Sequence, residues 1–161
     1  MPFNGRVKMS VQDNYNTPKI AWEHILQYFP DKEQKIWCPF FNDGTCKKIL
    51  NDMGYNNIVH QNKDFFTYTE ENAICIDNPP YSIKEKVIAQ LYNMNKPFSL
   101  LLPWDTLERK YMKKYLNNLQ VVIPPIKYEY IEGSKKTPPF KSVWICWNMN
   151  QYLPNKQLIF L

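Results

Sequence analysis

The sequence predicts a doubly wound α/β sheet, on three observations. Strand-like apolar runs alternate with stretches of helical periodicity along most of the chain. The run Phe98-Ser99-Leu100-Leu101-Leu102 is almost continuously apolar, as a strand buried on both faces must be. Three candidate functional stretches, PFFNDG, HQNKDFF and DNPPYS, also fall directly after the first three strands, where sheets of this kind bind their ligands.

In chain order, NTPKIAWEHILQYF (16–29) reads as a helix. Thr17 is placed to cap it and Pro18 to occupy its first turn, where a missing N–H costs nothing. Ile20, Ala21, Ile25, Tyr28 and Phe29 supply its apolar face, and Pro30 stops it. KIWCPFF (35–41) is a short strand ending at Pro39. NDGTCKKILNDMG then turns into a helix with Cys46, Ile49, Leu50 and Met53 on one side and Gly54 closing it. NIVH (57–60) is a second strand, KDFF (63–66) a loop and AICID (73–77) a third strand. Ser82 to Glu85 form a capping box for a helix whose face is Ile83, Val87, Leu91 and Met94. FSLLLPW (98–104) is the central strand, and Leu107, Tyr111 and Tyr115 mark a further helix. QVVIPP and SVWICW are late strands separated by a polar loop (132–141), with Trp144 and Trp147 packing on opposite sides of theirs. KQLIFL is either an edge strand or a segment that packs down on the body.

At 161 residues and 44% hydrophobic content, the chain can bury one core, so residues 1–161 are expected to form a single domain with no separate target-recognition region. With 16% aromatic residues it is not a disordered chain. No apolar stretch is long enough to span a bilayer, and MPFNGRVKMS has no signal-peptide core; an intracellular, cytoplasmic protein is expected. Cys38, Cys46, Cys75 and Cys146 are too scattered for a zinc site, and three of them lie within apolar runs. They read as reduced, buried thiols, and no metal is expected. The net charge of +5, spread through the chain as lysine, is a mild pointer to a polyanionic partner.

The stretch Asp77-Asn78-Pro79-Pro80-Tyr81-Ser82 carries the chemistry. The Asn78 side-chain carbonyl and the Pro79 main-chain carbonyl can converge as two acceptors, because proline has no N–H with which to close the turn. Two acceptors facing one point suit an –NH2 group on a π-system. Hydrogen bonds to both protons push that nitrogen from planar toward pyramidal and free its lone pair for attack. Tyr81 offers a face for the attached ring. No general base has to act first, since the neutral amine loses its proton after transfer; positioning donor and acceptor in line does the catalysis.

These residues resemble motif IV of the S-adenosylmethionine-dependent amino-methyltransferases, in the N6-adenine form Asn/Asp-Pro-Pro-Tyr/Phe. WCPFFNDG (37–44) resembles that family's Trp-Asp-Pro-x-x-Gly-Asp-Gly cofactor loop, NTP (16–18) the segment over the methionine end, HQNKDFF (60–66) the later cofactor stretch, and PFKSVWICW (139–147) the terminal strand region of small DNA adenine methyltransferases. The resemblance runs from about Tyr15 to Trp147. It implies a Rossmann-like class I methyltransferase domain, its mostly parallel sheet carrying an antiparallel terminal strand. By the same resemblance, Asn78, Pro79, Pro80 and Tyr81 are catalytic. Thr17, Pro18, Pro39, Phe40, Asn42, Gly44, His60, Asp64, Phe65 and Asn78 hold S-adenosyl-L-methionine, with Asp64 accepting from the adenine amino group and Phe65 packing on that ring. Tyr81, Lys135, Lys136 and Phe140 are the substrate-binding candidates; the bland alternatives are a solvated lysine loop and, for Phe140, an apolar loop anchor.

The chain departs from the family at three places. Cys38 stands where an acid is common, Asn42 where glycine is usual and His60 where relatives place an acid for the ribose hydroxyls. Asparagine is the non-glycine residue best suited to the left-handed region, so Asn42 is expected to keep the turn. The function implied is methylation of N6 of adenine in nucleic acid, DNA ahead of RNA. A partner subunit or second copy would supply target recognition that a chain this small has little room for. The alternatives are a non-catalytic module of the same fold binding nucleic acid or a partner, and a protein glutamine N-methyltransferase, which shares Asn-Pro-Pro-Tyr.

Overall fold

The computed structural model describes residues 16–130 and 140–161; the candidate lysines Lys135 and Lys136 lie outside them. Among the described residues there are three α-helices, α1 (Lys19–Leu26), α2 (Thr45–Asp52) and α3 (Lys84–Asn93). The seven strands are β1 (Ile36–Trp37), β2 (Ile58–Val59), β3 (Ile74–Asp77), β4 (Phe98–Pro103), β5 (Leu119–Ile123), β6 (Ser142–Trp147) and β7 (Leu158–Phe160). They form one sheet in the order β2-β1-β3-β4-β6-β5-β7. All pairings are parallel except those of β6, which runs antiparallel between β4 and β5. This is the Rossmann-like methyltransferase fold expected from the sequence. The antiparallel strand is the sixth, and KQLIFL follows it as the parallel edge strand β7.

Period-two alternation sorts the core into two faces. Ile36, Ile74, Ile76, Leu101, Val122, Trp144 and Cys146 point to the side covered by α1 and Leu50 of α2. Trp37, Cys75, Leu100, Leu102, Val143, Ile145 and Trp147 point to the side covered by Val87, Ile88 and Leu91 of α3. The opposed packing of Trp144 and Trp147 follows directly. The buried thiols of Cys38, Cys75 and Cys146 are free and serve as small core residues.

The helix boundaries differ in instructive ways. Pro18 is the N-cap of α1, at φ −68° and ψ 151°, one residue outside its expected place, and Thr17 is not the cap. The buried face of α1 is Ala21, Trp22, Ile25 and Leu26, while Ile20 is 38% exposed; the indole is the larger apolar group and takes the inward position. Ser82 falls inside a 3₁₀ turn (Tyr81–Ile83) that precedes α3, so Ile83 occupies the cap position. The expected helix around Tyr111 is two 3₁₀ segments, Trp104–Glu108 and Lys110–Asn118, broken at extended Arg109. Met112 and Tyr115, its buried residues, are three apart, matching three residues per turn.

β1 lies at the centre of the chain reversal: the path goes outward to β2 on one side, then returns to β3 on the other. In open α/β sheets such a switch point opens a crevice beyond the carboxyl ends of the strands. Here the loops after β1 and β3 form its two sides.

Candidate functional site

A cleft of about 240 Å³ opens at that switch point. The loop after β1 supplies Pro39, Phe40, Phe41, Asn42 and Asp43, and α2 adds Thr45, Cys46 and Ile49. The stretch after β2 supplies Asn62 to Phe66, the end of β3 supplies Asp77, Asn78 and Pro80, and the N-terminal side supplies Asn16, Thr17 and Trp22. Four segments that are distant in sequence thus share one wall.

Local chemistry fixes the loop after β1. Pro39 has no N–H and ends the ladder. Asn42 sits at φ 48°, the left-handed conformation expected of it, and Gly44 follows at φ 82° as the N-cap of α2. The Gly44 N–H donates to the Phe41 carbonyl at 2.8 Å. Asp43 accepts from the Thr45 N–H (3.0 Å) and from Asn16 Nδ2 (3.2 Å), and Asn42 Nδ2 donates to Asn16 Oδ1. Asn16 therefore ties the N-terminal segment to the loop. The hydrogen bonds from Thr45 hold the Asp43 carboxyl below its usual value.

The opposite wall is aromatic. Asp64 Oδ1 accepts from the Phe66 N–H at 3.0 Å and so caps a 3₁₀ turn, Phe65–Thr67, in what reads from sequence as loop. That turn sets Phe65 against Phe40, with ring centroids 5.1 Å apart. Between the two sides lies Asp77, the last residue of β3. Its Oδ2 accepts from the Phe40 N–H at 2.7 Å and its Oδ1 from the Asn78 N–H at 2.8 Å. Burial pushes its carboxyl up to about 8, against the pull of those two bonds.

Of the residues singled out in the sequence, Thr17, Pro39, Phe40, Asn42, Asp64, Phe65, Asn78 and Pro80 line the cleft. Pro18, Gly44, His60, Pro79, Tyr81 and Phe140 are not on its wall. His60 is buried, its Nδ1–H donating to the Cys38 carbonyl at 2.7 Å and its ring stacked behind Phe41 at 4.9 Å. The space left by the missing side chain of Gly44 is taken by the Phe41 ring. Tyr81 lies beyond Pro80, edge-on to Phe140 at 5.4 Å, with its hydroxyl donating to Tyr130 Oη at 3.3 Å; Tyr130 in turn donates to Ser142 Oγ. Tyr81 and Phe140, some sixty residues apart in sequence, are thereby brought together next to the Asn-Pro-Pro turn.

Sequence reasoning passes over Trp22, Phe41, Asp77 and Tyr130. Trp22 is 1% exposed, lines the cleft, and its Nε1–H has no hydrogen-bond partner among the described residues. Its spacing from Ile25, Leu26 and Phe29 puts it on the inner helix face, which is the signal that could have found it. Phe41 has no signal apart from the loop it sits in. Asp77 could have been found as an acid ending a strand that is otherwise wholly apolar.

A buried donor in a cleft walled by Phe40, Phe41, Phe65 and Phe66 and also lined by Asn16, Thr17, Asp64 and Asp77 fits an amphipathic ligand with a flat ring. Nothing in the residues disagrees with S-adenosylmethionine. Among the described residues, no group of three or more His, Cys, Asp or Glu could hold a metal ion, and no helix is long and apolar enough to cross a membrane.

Comparison with solved structures gives a fold neighbour, a dimethyladenosine transferase from Plasmodium falciparum, at a TM-score of 0.54 and 15% identity. The match covers 88% of this chain and 66% of that one, so this chain spans just under two thirds of its neighbour. No family model matches. No curated protein matches either. The class defined here is a fold, the Rossmann-like methyltransferase sheet with an antiparallel strand inserted near one edge.

Proposed function

We propose that this protein transfers a methyl group from S-adenosylmethionine to the exocyclic N6 of adenine in a nucleic acid, DNA ahead of RNA. One observation carries the reading: Asn78 and the loop 39–43 face the same cleft, bridged by Asp77, at the switch point of a methyltransferase sheet. The resemblance of those two stretches to the amino-methyltransferases supports it, as does the name of the fold neighbour, a dimethyladenosine transferase.

In this reading Phe40, Phe41 and Phe65 enclose the adenine ring of the cofactor and Asp64 faces its amino group. Asn16, Thr17 and the Trp22 N–H receive the amino-acid end. S-adenosylmethionine, when bound, supplies the methyl carbon, its C–S bond breaking with the pair returning to sulfur as the N–C bond forms. Asn78 Oδ1 and the Pro79 carbonyl accept the two amine protons and aim the lone pair; the methylated nitrogen then releases one proton to water. Tyr81 and Phe140 hold the base. A base in a duplex has to leave its stack to reach them, at roughly a few kcal/mol. Target recognition by a partner subunit or a second copy belongs to the same proposal.

The test is transfer of tritiated methyl to duplex DNA, single-stranded DNA, RNA and a glutamine-containing protein fraction, with nucleoside analysis of the product. N6-methylated adenine that disappears in Asn78→Ala supports the reading; label on glutamine, or activity retained in that variant, overturns it. One observation favours the non-catalytic module: the acid usual at the end of the second strand is replaced by a histidine turned into the core. Failure of S-adenosylhomocysteine to bind both the wild type and Asn42→Gly would decide for that module.

A further inference from the structure

Asp77 is an expensive residue for its position. It is 3% exposed, and among the described residues none of the ion pairs includes it. Two peptide N–H groups are its hydrogen-bond donors. They offset part of the desolvation of a carboxylate and leave its charge uncompensated. Accepting from a main-chain N–H needs no charge; serine or asparagine can do it. No cation among the described residues holds Asp77 ionised, so a cationic ligand in the cleft is what would do so.

The geometry says where that cation sits. Asp77 lines the cleft and holds one oxygen toward Phe40 and the other toward Asn78. If Asn78 grips the acceptor amine, the reacting carbon must lie about 3–3.5 Å from the nitrogen and in line with it. The atom bonded to that carbon then lies on the Phe40 side of Asn78, beside the carboxylate. We propose that Asp77 is the counter-ion of the donor's sulfonium, making the cleft prefer the charged donor over its neutral thioether product. This rests on the proposed methyltransferase reading. Transfer of the methyl group removes the positive charge beside Asp77, so the same residue that attracts the donor weakens the hold on the product.

The preference depends on pH, with a sign that can be worked out. In the empty cleft burial pushes the Asp77 carboxyl up to about 8. Below that value the group is largely neutral and offers the cation little. As pH rises through it, donor affinity rises, while affinity for the uncharged product does not follow. Three thiols and a second carboxyl pack around Asp77. Cys38 just after β1, Cys75 of β3 and Cys46 of α2 all have thiols shifted above their ordinary value. Asp43 is held ionised by its hydrogen bonds. Lys63 and Asp64 are the other charged residues on the wall, and His60 lies behind Phe41.

The experiment is calorimetric titration of S-adenosylmethionine and S-adenosylhomocysteine into the wild type and Asp77→Asn at pH 6.5 and pH 9. The sulfonium is charged at both values, but the ligands' α-amino groups titrate toward the upper one, so Asp77→Asn is the control that assigns a change in preference to Asp77. The wild-type ratio of donor to product affinity is expected to rise by about tenfold or more between the two pH values, equivalent to ~1.4 kcal/mol. The variant is expected to show a flat ratio. Repeating the wild-type titration at pH 7 in buffers of different ionisation enthalpy needs no variant: donor binding releases protons and product binding does not. An invariant wild-type ratio, equal proton release by both ligands, or a wild-type ratio retained in Asp77→Asn overturns the assignment. Binding of neither ligand overturns the methyltransferase reading itself, a different outcome from binding without preference.

Discussion

Replacing Gly44 with alanine tests how the loop after β1 shapes the cleft. The residue sits at φ +82°, and a Cβ built there lies 2.9 Å from Phe41 Cζ. The left-handed conformation costs an alanine roughly 1–2 kcal/mol. Relief of the close contact has to come from the Phe41 ring, which is stacked on His60 at 4.9 Å; losing that stack adds up to about 1 kcal/mol. A total of about 2 kcal/mol, divided by a urea dependence of ~2 kcal/mol per molar, lowers the denaturation midpoint by about 1 M. Because Phe41 lines the cleft, S-adenosylhomocysteine affinity should fall as well, measured by calorimetry on the folded variant. Asn42→Gly is the control: this left-handed residue, two positions earlier, loses no ring contact, and its midpoint moves by less than half as much. A Gly44→Ala midpoint within about 0.2 M of wild type, with unchanged ligand affinity, would refute the reasoning.

Other outcomes follow from the same geometry. Trp22→Phe keeps most of the buried ring but removes the indole N–H, and is expected to weaken S-adenosylhomocysteine binding by roughly 5- to 10-fold, about the worth of one hydrogen bond, on a calorimetric readout. Tyr130→Phe removes the hydroxyl between Tyr81 and Ser142, and should raise KM for the nucleic acid while cofactor affinity stays unchanged. In wild type the Asp77 carboxyl binds its proton more tightly folded than unfolded, where the usual value is 3.8, so its contribution to stability declines by a few kcal/mol as pH rises from about 4 to about 8 and is level above that. Urea midpoints across that range should decline less steeply in Asp77→Asn. Thiol titration at pH 8 should leave Cys38, Cys75 and Cys146 unreacted in the folded protein, with half-buried Cys46 modified first and protected by bound ligand.

The sheet was legible because its signals are collective. Each strand from Ile36 to Trp147 is marked by several apolar residues, and the two-residue period alone assigns Trp144 and Trp147 to opposite faces. The position of the cleft was legible for the same reason, since it follows from strand order and not from any one side chain. Asn42 was readable as left-handed because few residue types tolerate that conformation. What escaped depends on contacts distant in sequence. His60 reads as a strand-end polar residue, yet its ring is turned inward to a carbonyl two strands' worth of sequence away. The choice between Ile20 and Trp22 as the buried residue of α1 depends on what faces the helix, and here Trp144 does, at 5.7 Å. The 3₁₀ path of residues 110–118 escaped because Leu107, Tyr111 and Tyr115, four apart, carry an α-helical period, whereas the buried pair is Met112 and Tyr115.

The account depends on a sulfonium lying between Phe40 and Asn78. A structure of the protein soaked with sinefungin tests this most directly. Density for the nucleoside packed against Phe40 and Phe65, with the ligand's charged amine within hydrogen-bond reach of Asp77 and pointing past Asn78, is the expected result. Sinefungin bound elsewhere, or a cleft closed over by Phe41 and Phe66 with no ligand inside, would contradict it.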